Sequence, residues 1–267
     1  MTTTLMMRIG AVASILLFTS ATQITPASLG EFFFPGEELV YEVSYMNITL
    51  GKIRSVAEPF TTLDGRKVAK VKVFIDSHPS IPFVSLHATY ESWMDTTLTY
   101  SHRFNANTQT DDGDWRFDQY LFDYKTNKVT MERYRYKQKE TTMVKDIDKH
   151  FNDGSSLLFA ARAMLMTKKS YRIPTIIMEE PVNTVINFSG KKENTEIDAV
   201  NYPIKTVYLN GDANWTGIYG LSGRFEGWFT DDEARVPLKA KMKVYVGSIT
   251  IELVSWKRGN WSPPKAG

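Results

Sequence analysis

Residues 220–253 read GLSGRFEGWFTDDEARVPLKAKMKVYVGSITIEL, and they are the most informative stretch of this chain. The aromatic run Arg224–Phe229 predicts one strand. Asp231-Asp232 predicts the turn that follows, because aspartate side chains often bond to the backbone of turns. Two further strands are expected at Leu238–Val246 and Ile249–Trp256. The stretch holds no recognisable catalytic group, so it predicts β-structure and leaves the function open.

Short strand patterns extend from this stretch over most of the chain. Asp64-Gly65 predicts a tight hairpin before the alternating strand Arg66–Ile75, because both turn positions tolerate positive φ. Aromatic residues make up 13% of the chain, which also favours strands. The other predicted strands are Leu39–Tyr45, Thr49–Val56, Val84–Met94, Leu98–Asn105, Trp115–Tyr124, Val129–Lys139, Ile176–Met178, Val182–Ser189, Glu193–Ile197 and Lys205–Asn210. Together they predict a mainly β protein with a large antiparallel curled sheet or an open β-barrel.

One mid-chain segment, Asp153–Met166, departs from this strand pattern. Its apolar residues Leu157, Ala161 and Leu165 recur at helical spacing, and Asp153 and Ser155 can cap the first turn. We therefore expect one mid-chain helix, whose apolar face packs on the sheet.

The chain begins with the features of an export signal. Arg8 precedes the apolar run Ile9–Phe18, and small residues follow, so residues 1–21 are predicted to be a cleaved signal peptide. The run is about half the ~20 residues that span a bilayer. The alternatives are an uncleaved N-terminal anchor and a buried first helix. No second run of spanning length follows, so no transmembrane anchor is expected in the mature chain.

The rest of the chain is predicted to form one domain with two flanking segments. Residues 22–35 are a lead-in, residues 36–256 form a single β-rich domain, and residues 257–267 are a C-terminal tail. We find no linker and no internal repeat within the domain. The tail is polar and contains proline, so it is expected to be frayed.

The composition excludes several classes of protein. The chain has no cysteine, so it has no disulfide, no thiolate metal site and no N-terminal lipid anchor attached through cysteine. A chain of this length can be stabilised by its core alone. Lysine and arginine total 32 against 30 aspartate and glutamate, and this near balance argues against a nucleic-acid-binding protein.

Three segments resemble a bacterial exported family known only as domain-of-unknown-function family 3108. They are Gly36–Tyr45 with Leu50-Gly51-Lys52, Asp153–Arg162, and Gly227–Leu238 with Gly247-Ser-Ile. The last is the most specific. The resemblance implies a β-rich protein of the Gram-negative envelope with no established activity. It carries over no catalytic or ligand-binding residue.

Aromatic side chains are the first candidate site. Trp93, Trp228 and Phe229 lie in predicted strands, and on the inner side of a curled sheet they would contact an apolar ligand. The alternative is that they fill the core, as aromatic residues commonly do.

Basic residues form the second candidate. If Val129–Lys139 is one strand, Arg133, Arg135, Lys137 and Lys139 fall on one face, where they could bind an anionic partner such as a phosphate-bearing lipid or an anionic glycan. The alternative, which we favour, is a solvated face that discourages edge pairing.

Two acidic clusters are most simply interpreted as having structural roles. Asp231, Asp232 and Glu233 beside Arg235 suit a hairpin turn, although paired carboxylates could bind a cation or act in catalysis. The second cluster, Asp146, Asp148, His150 and Asp153, suits a polar loop ending in a helix cap better than a metal site. No G-x-S-x-G motif, zinc motif or phosphate loop is present, so we predict no metal and no cofactor, and the balance leans against an enzyme.

We expect a periplasmic, non-enzymatic binding or carrier protein for an apolar or lipid-like ligand. One alternative is a structural or assembly factor of the envelope that contacts a protein partner. The other is an enzyme that acts on glycans or lipids through carboxylates such as Glu226, Asp231 and Asp232.

Overall fold

The computed structural model describes residues 32–81, 85–110, 113–216, 222–244 and 247–267. The predicted signal peptide lies outside the described residues. Within them the chain forms a 14-stranded sheet and one helix longer than a single turn. The elements are β1 Glu38–Tyr45, β2 Ile48–Leu63, β3 Arg66–Ser77, β4 His87–Met94, β5 Ser101–Gln109, β6 Trp115–Asp123, β7 Lys128–Arg135, β8 Gln138–Asp146, α1 Ser156–Met164, β9 Ser170–Ile177, β10 Glu180–Thr195, β11 Ile204–Ala213, β12 Gly223–Thr230, β13 Pro237–Lys243 and β14 Ser248–Lys257.

The sheet is antiparallel throughout, and its order is β8-β7-β6-β5-β4-β3-β2-β1-β14-β13-β12-β11-β10-β9. Strands β1 to β8 therefore form one run of neighbours, and β9 to β14 form the other. The pairing of β1 with β14 joins the two runs. Strands β8 and β9 are the edges, so the sheet is open. The prediction of a mainly β protein with a large antiparallel sheet and one mid-chain helix is confirmed.

The sheet curls around α1. Leu209 of β11 and Ala57 of β2 lie on the same face of the sheet. Successive cross-strand pairs lead from Leu209 through β12, β13, β14 and β1 to β2, and alternate residues along β2 lead on to Ala57. Leu209 packs in one cluster with Ala161 and Leu165, and Ala57 packs in another with Phe159. A single face thus meets the helix from both halves of the sheet. We call it the concave face.

The N-terminus of α1 is held by a buried carboxylate. Asp153 accepts hydrogen bonds from the backbone N–H groups of Ser155 (2.7 Å) and Ser156 (2.9 Å), and from the hydroxyls of Ser92 (2.5 Å) and Ser101 (2.6 Å). Burial raises the pKa of Asp153, and these four hydrogen bonds act in the opposite direction. Asp153 therefore caps the helix as predicted, whereas the Ser155 side chain forms no cap bond.

Both flanking segments belong to the folded unit where they are described. Phe33 of the lead-in is fully buried and contacts the ring of Phe159, with ring centroids 5.9 Å apart. The tail is docked rather than frayed, so that expectation is wrong. Arg258 is buried, and Trp261 donates from Nε1 to Asp232 at 2.7 Å. These buried contacts hold the tail in place, although its polar, proline-containing composition suggested fraying.

Two predicted strand boundaries are also wrong. Val129–Lys139 is not one strand, because the chain turns at Tyr136 and Lys137, both with positive φ, and returns as β8. Gly190-Lys191 marks an irregularity within the long strand β10 rather than a turn between two strands. In both places strand pairing overrides the local propensity.

Candidate functional site

The concave face carries apolar side chains that are only partly buried. Ile53 and Ile251 lie on the strands that flank β1, opposite Tyr41 and Val43 respectively. This partly exposed group, which we call the concave mouth, comprises Ile53, Val73, Phe225, Met242 and Ile251. Four of its members border the buried clusters of the core. The group therefore forms an apolar surface that solvent still reaches.

The three predicted aromatic site residues lie on two different faces. Phe229 is buried on the concave face in the cluster that contains residues of α1. Trp228 lies on the outer face, because neighbouring residues of a strand point in opposite directions. Trp93 is also outward, between the inward-facing Ser92 and Met94. The expectation that all three face the inner side is therefore wrong for Trp93 and Trp228.

The predicted basic stripe is divided by the β7–β8 turn. Arg133 and Arg135 lie on β7, Lys137 lies in the turn, and Lys139 on β8 forms an ion pair with Glu132 at 2.5 Å. The four residues do not form one strand face, so the stripe prediction is wrong. The error follows from treating a hairpin as a single strand.

Arg133 instead takes part in a charged group on the concave face. Its Nε donates to Asp118 at 2.8 Å, and Arg116 donates to the same nearly buried carboxylate at 2.8 Å. Cross-strand pairing connects Asp118 through β5 and β4 to Val73. At the level of Val73 on β3, the concave face therefore carries a charged group on β6 and β7, beside the buried apolar cluster of the same strands.

The β9–β10 turn fastens one half of the curled sheet to the other. Glu179 contacts Arg133 by a short ion pair, and its backbone N–H donates to the Tyr120 hydroxyl at 3.2 Å. Lys145 of β8 donates to the Glu179 carbonyl oxygen and pairs with Glu180, both at 2.8 Å. We call this set of contacts the seam. It joins the two edge regions by side chains, without strand pairing between β8 and β9.

The outer face of β10 to β14 holds two adjoining depressions. The larger has a volume of about 550 Å³ and the smaller about 350 Å³, and Lys241 lines both. Tyr208 lines the larger and Trp228 the smaller, with ring centroids 5.5 Å apart. We call the two depressions together the outer groove. The rings share one face because the register pairs Tyr208 with Trp228, which alternation along each strand alone does not fix.

The acidic stretch after β12 is a turn. Asp231 pairs with Lys192 at 2.7 Å, and Asp232 accepts from the Thr230 hydroxyl at 2.6 Å and the Arg235 backbone N–H at 3.0 Å. Arg235 also donates from Nη1 to the Arg162 and Ala163 carbonyl oxygens near the end of α1, at 3.1 and 3.2 Å. Each aspartate thus has a structural partner.

The second acidic cluster is dispersed. Asp146 pairs with Lys128 at 2.8 Å, His150 stacks on Tyr100 with centroids 3.9 Å apart, and Asp153 caps α1. Among the residues whose placement is described, no three histidines or carboxylates converge as metal ligands would.

Solved structures match this chain, whereas no curated protein does. A solved β-barrel-like protein of domain of unknown function DUF1849 from Brucella abortus is 12% identical, with a TM-score of 0.55 over 84% of this chain and 98% of that chain. A protein described as exported, with YmcC-like fold, from Bacteroides fragilis is 10% identical, with a TM-score of 0.34 over 85% and 99% of the two chains.

Helices in the described part of the chain are too short or too polar to cross a membrane. The family model DUF3108, a protein of unknown function, matches residues 40–254. Because this match spans most of the β-sheet and the whole of α1, the chain belongs to the DUF3108 family.

Proposed function

We propose that this chain is a non-enzymatic binding or carrier protein that holds an apolar, lipid-like ligand against the concave mouth. The observation that carries the proposal is the partial exposure of the five concave-mouth residues. Apolar side chains on a concave face are usually buried by the protein itself or by a ligand. Covering them with an acyl chain would gain about 0.8 kcal/mol per buried methylene.

The charged group on β6 and β7 suits a ligand with a polar end. This charged group lies on the same face as the concave mouth, and Asp118 on β6 is three strands along the sheet from Val73 on β3. Arg116 and Arg133 both donate to Asp118, and Arg133 also pairs with Glu179, so two guanidinium groups face two carboxylates there. A ligand with an apolar chain and a polar end would match both parts of the face.

The proposed location is the periplasm of a Gram-negative cell. The proposal rests on the charged residue Arg8, the apolar run Ile9–Phe18 and the small residues after it. N-terminal sequencing of the protein from a periplasmic extract tests it. A mature chain that begins near residue 22 is expected, and a chain that keeps residues 1–21 would contradict it.

Native mass spectrometry of the gently purified mature protein, followed by lipid extraction, tests the carrier function. Two variants on adjacent residues of β14 make the test specific. Ile251→Trp fills the concave mouth, whereas Thr250→Trp adds the same bulk to the outer face. We expect a bound lipid in the wild type, a reduced amount in Ile251→Trp and an unchanged amount in Thr250→Trp. A wild-type protein without lipid, or equal loss in both variants, would contradict the proposal.

An envelope assembly factor is the second candidate, and the edge strand β8 favours it. Val144 on this strand is 55% exposed, and most of its neighbours are exposed as well. An unpaired edge can accept a strand from a partner protein. A photocrosslinking residue at Thr142 would then capture a protein partner in cells, and the same residue at the outward Lys52 of the inner strand β2 would not. Equal labelling at both sites, or none, would count against this function.

A further inference from the structure

The polar side chains of the outer groove lie on the opposite face of the sheet from the concave mouth, although Phe225 of the concave mouth also lines the larger depression. Strands β11 and β12 place Tyr208, Asn210 and Glu226 on this face in cross-strand contact. Asn187 adds a second amide from β10. These residues line the larger depression, whose volume of about 550 Å³ lies within the roughly 300–1,000 Å³ typical of ligand sites.

The two aromatic rings of the groove are held in place by carboxylates. The Tyr208 hydroxyl donates to Glu226 at 2.7 Å, and Trp228 Nε1 donates to Glu193 in a short hydrogen bond. The ring planes meet at 59°. Both rings are thus fixed on the surface, and fixing them in advance lowers the entropic cost of binding.

The groove also carries basic residues that form no ion pair within the described part of the chain. Among the described residues, no ion pair engages Arg224, Lys241 or Lys243, which line the larger depression. By contrast, nearby Lys191 pairs with Glu193 at 2.6 Å and Lys239 pairs with Glu252 at 2.5 Å. Three basic residues against the two carboxylates of the larger depression leave an excess of positive charge.

We propose that the outer groove binds an anionic oligosaccharide, such as a chain that contains uronic acids. Fixed aromatic rings contact the apolar faces of sugar rings, and the amides of Asn187 and Asn210 can both donate to and accept from hydroxyls. Arg224, Lys241 and Lys243 supply charge-assisted hydrogen bonds to carboxylates. An acyl chain does not suit this site. It would exclude water from the polar groups of the groove without forming hydrogen bonds to them, and that loss of solvation is unfavourable.

Isothermal titration of the purified protein with tetragalacturonate tests the proposal, and maltotetraose serves as the neutral probe of equal length. We expect binding of the anionic tetrasaccharide and affinity at least about tenfold lower for the neutral one. The variant Lys241→Gln/Lys243→Gln should weaken binding about tenfold or more. The matched variant Lys125→Gln/Lys149→Gln removes the same charge elsewhere on the surface and should keep wild-type affinity.

A second variant tests the aromatic contact separately from charge. Trp228→Leu should weaken tetragalacturonate binding while far-UV circular dichroism stays unchanged. The proposal is overturned if the two tetrasaccharides bind equally, if both lysine variants lose equal affinity, or if no binding occurs at millimolar sugar. It is also overturned if phosphatidylglycerol vesicles bind through Lys241 and Lys243 while the sugar does not. The lipid content measured for the concave mouth is an independent readout, so failure of one proposal leaves the other standing.

Discussion

Arg162 and Glu37 lie 125 residues apart in the chain and form a buried ion pair, with Arg162 Nη1 donating to Glu37 Oε1 at 2.6 Å. Arg162 Nη2 donates to Glu37 Oε2 at 3.0 Å and to the carbonyl oxygens of Phe32 (2.7 Å) and Ala234 (2.8 Å). Arg258 of the C-terminal tail contacts the same glutamate. The Glu37 carboxylate therefore joins the helix and the tail, and Arg162 connects both to the lead-in through Phe32.

Replacing this carboxylate tests its role in stability. Glu37→Gln leaves two buried guanidinium groups without a countercharge, and we expect a loss of about 3–5 kcal/mol in the free energy of unfolding. Urea unfolding measures it. The control is Glu38→Gln, because Glu38 pairs with Arg54 at 3.6 Å with both side chains about 40% exposed, and an exposed pair contributes about 1 kcal/mol or less. Similar losses of stability in the two variants would show that the buried pair contributes no more than the exposed pair does.

The cap of α1 provides the second prediction. Ser101→Ala removes a hydroxyl that donates to Asp153 at 2.6 Å and lies 2.8 Å from the Ser156 hydroxyl. We expect a loss of about 1–3 kcal/mol, since buried polar partners remain unsatisfied. Amide exchange in the first turn of α1 should also become faster. The exposed Ser80→Ala is the control, and unchanged exchange in Ser101→Ala would refute the assigned role.

His102 provides a prediction on pH. Burial is the main cause that holds the pKa of His102 below its ordinary value of 6.5; Arg66 and His150 act in the same direction, and Asp95 opposes them. The folded protein therefore binds this proton less readily than the unfolded chain does. Stability should fall as the pH drops through 6.5 toward the lowered pKa of the folded state.

Chemical unfolding between about pH 8 and about pH 5 measures this dependence on pH. We expect His102→Gln to flatten the slope, because the variant lacks the group that titrates. The exposed His78→Gln should keep the wild-type slope. An identical slope in wild type and His102→Gln would show that groups other than His102 cause the dependence of stability on pH.

The seam provides the fourth prediction. Lys145→Met removes the contacts from β8 to Glu179 and Glu180, so the β9–β10 turn should open more often. Hydrogen exchange of the amides at 178–180 should become faster, while global stability changes by less than about 1 kcal/mol. Lys128→Met removes an exposed pair with Asp146 and serves as the control. Unchanged exchange at 178–180 would indicate that backbone contacts alone hold the turn.

Local physics accounts for the features that could be predicted from the sequence. Asp64-Gly65 forms the expected hairpin turn with φ of 49° and 77°, because these residues adopt positive φ at low cost. Asp153 caps α1 through neighbouring backbone groups. The opposite orientations of Trp228 and Phe229 were also predictable, because side chains alternate along any strand.

Other features depend on neighbours that are distant in sequence. Tyr136 and Lys137 carry no turn signal, yet pairing of β7 with β8 places both at positive φ. The predicted strand Lys205–Asn210 stops before Gly211, yet Gly211 lies within β11, where an added Cβ would be 2.4 Å from the carbonyl oxygen of Val185. The glycine is therefore required by close strand packing, which its neighbours in sequence do not reveal.

The sequence by itself determined the strand-rich class, the Asp64-Gly65 hairpin, the mid-chain helix and the absence of disulfides, since these follow from composition and from interactions within a few residues. Only the tertiary structure decided which residues share the concave mouth, how the outer groove is lined and why Glu37 meets Arg162. Those relationships follow from strand register accumulated across the sheet and from its curl around α1. A shift of one residue in register would exchange the two faces of a strand, and no local periodicity encodes that register.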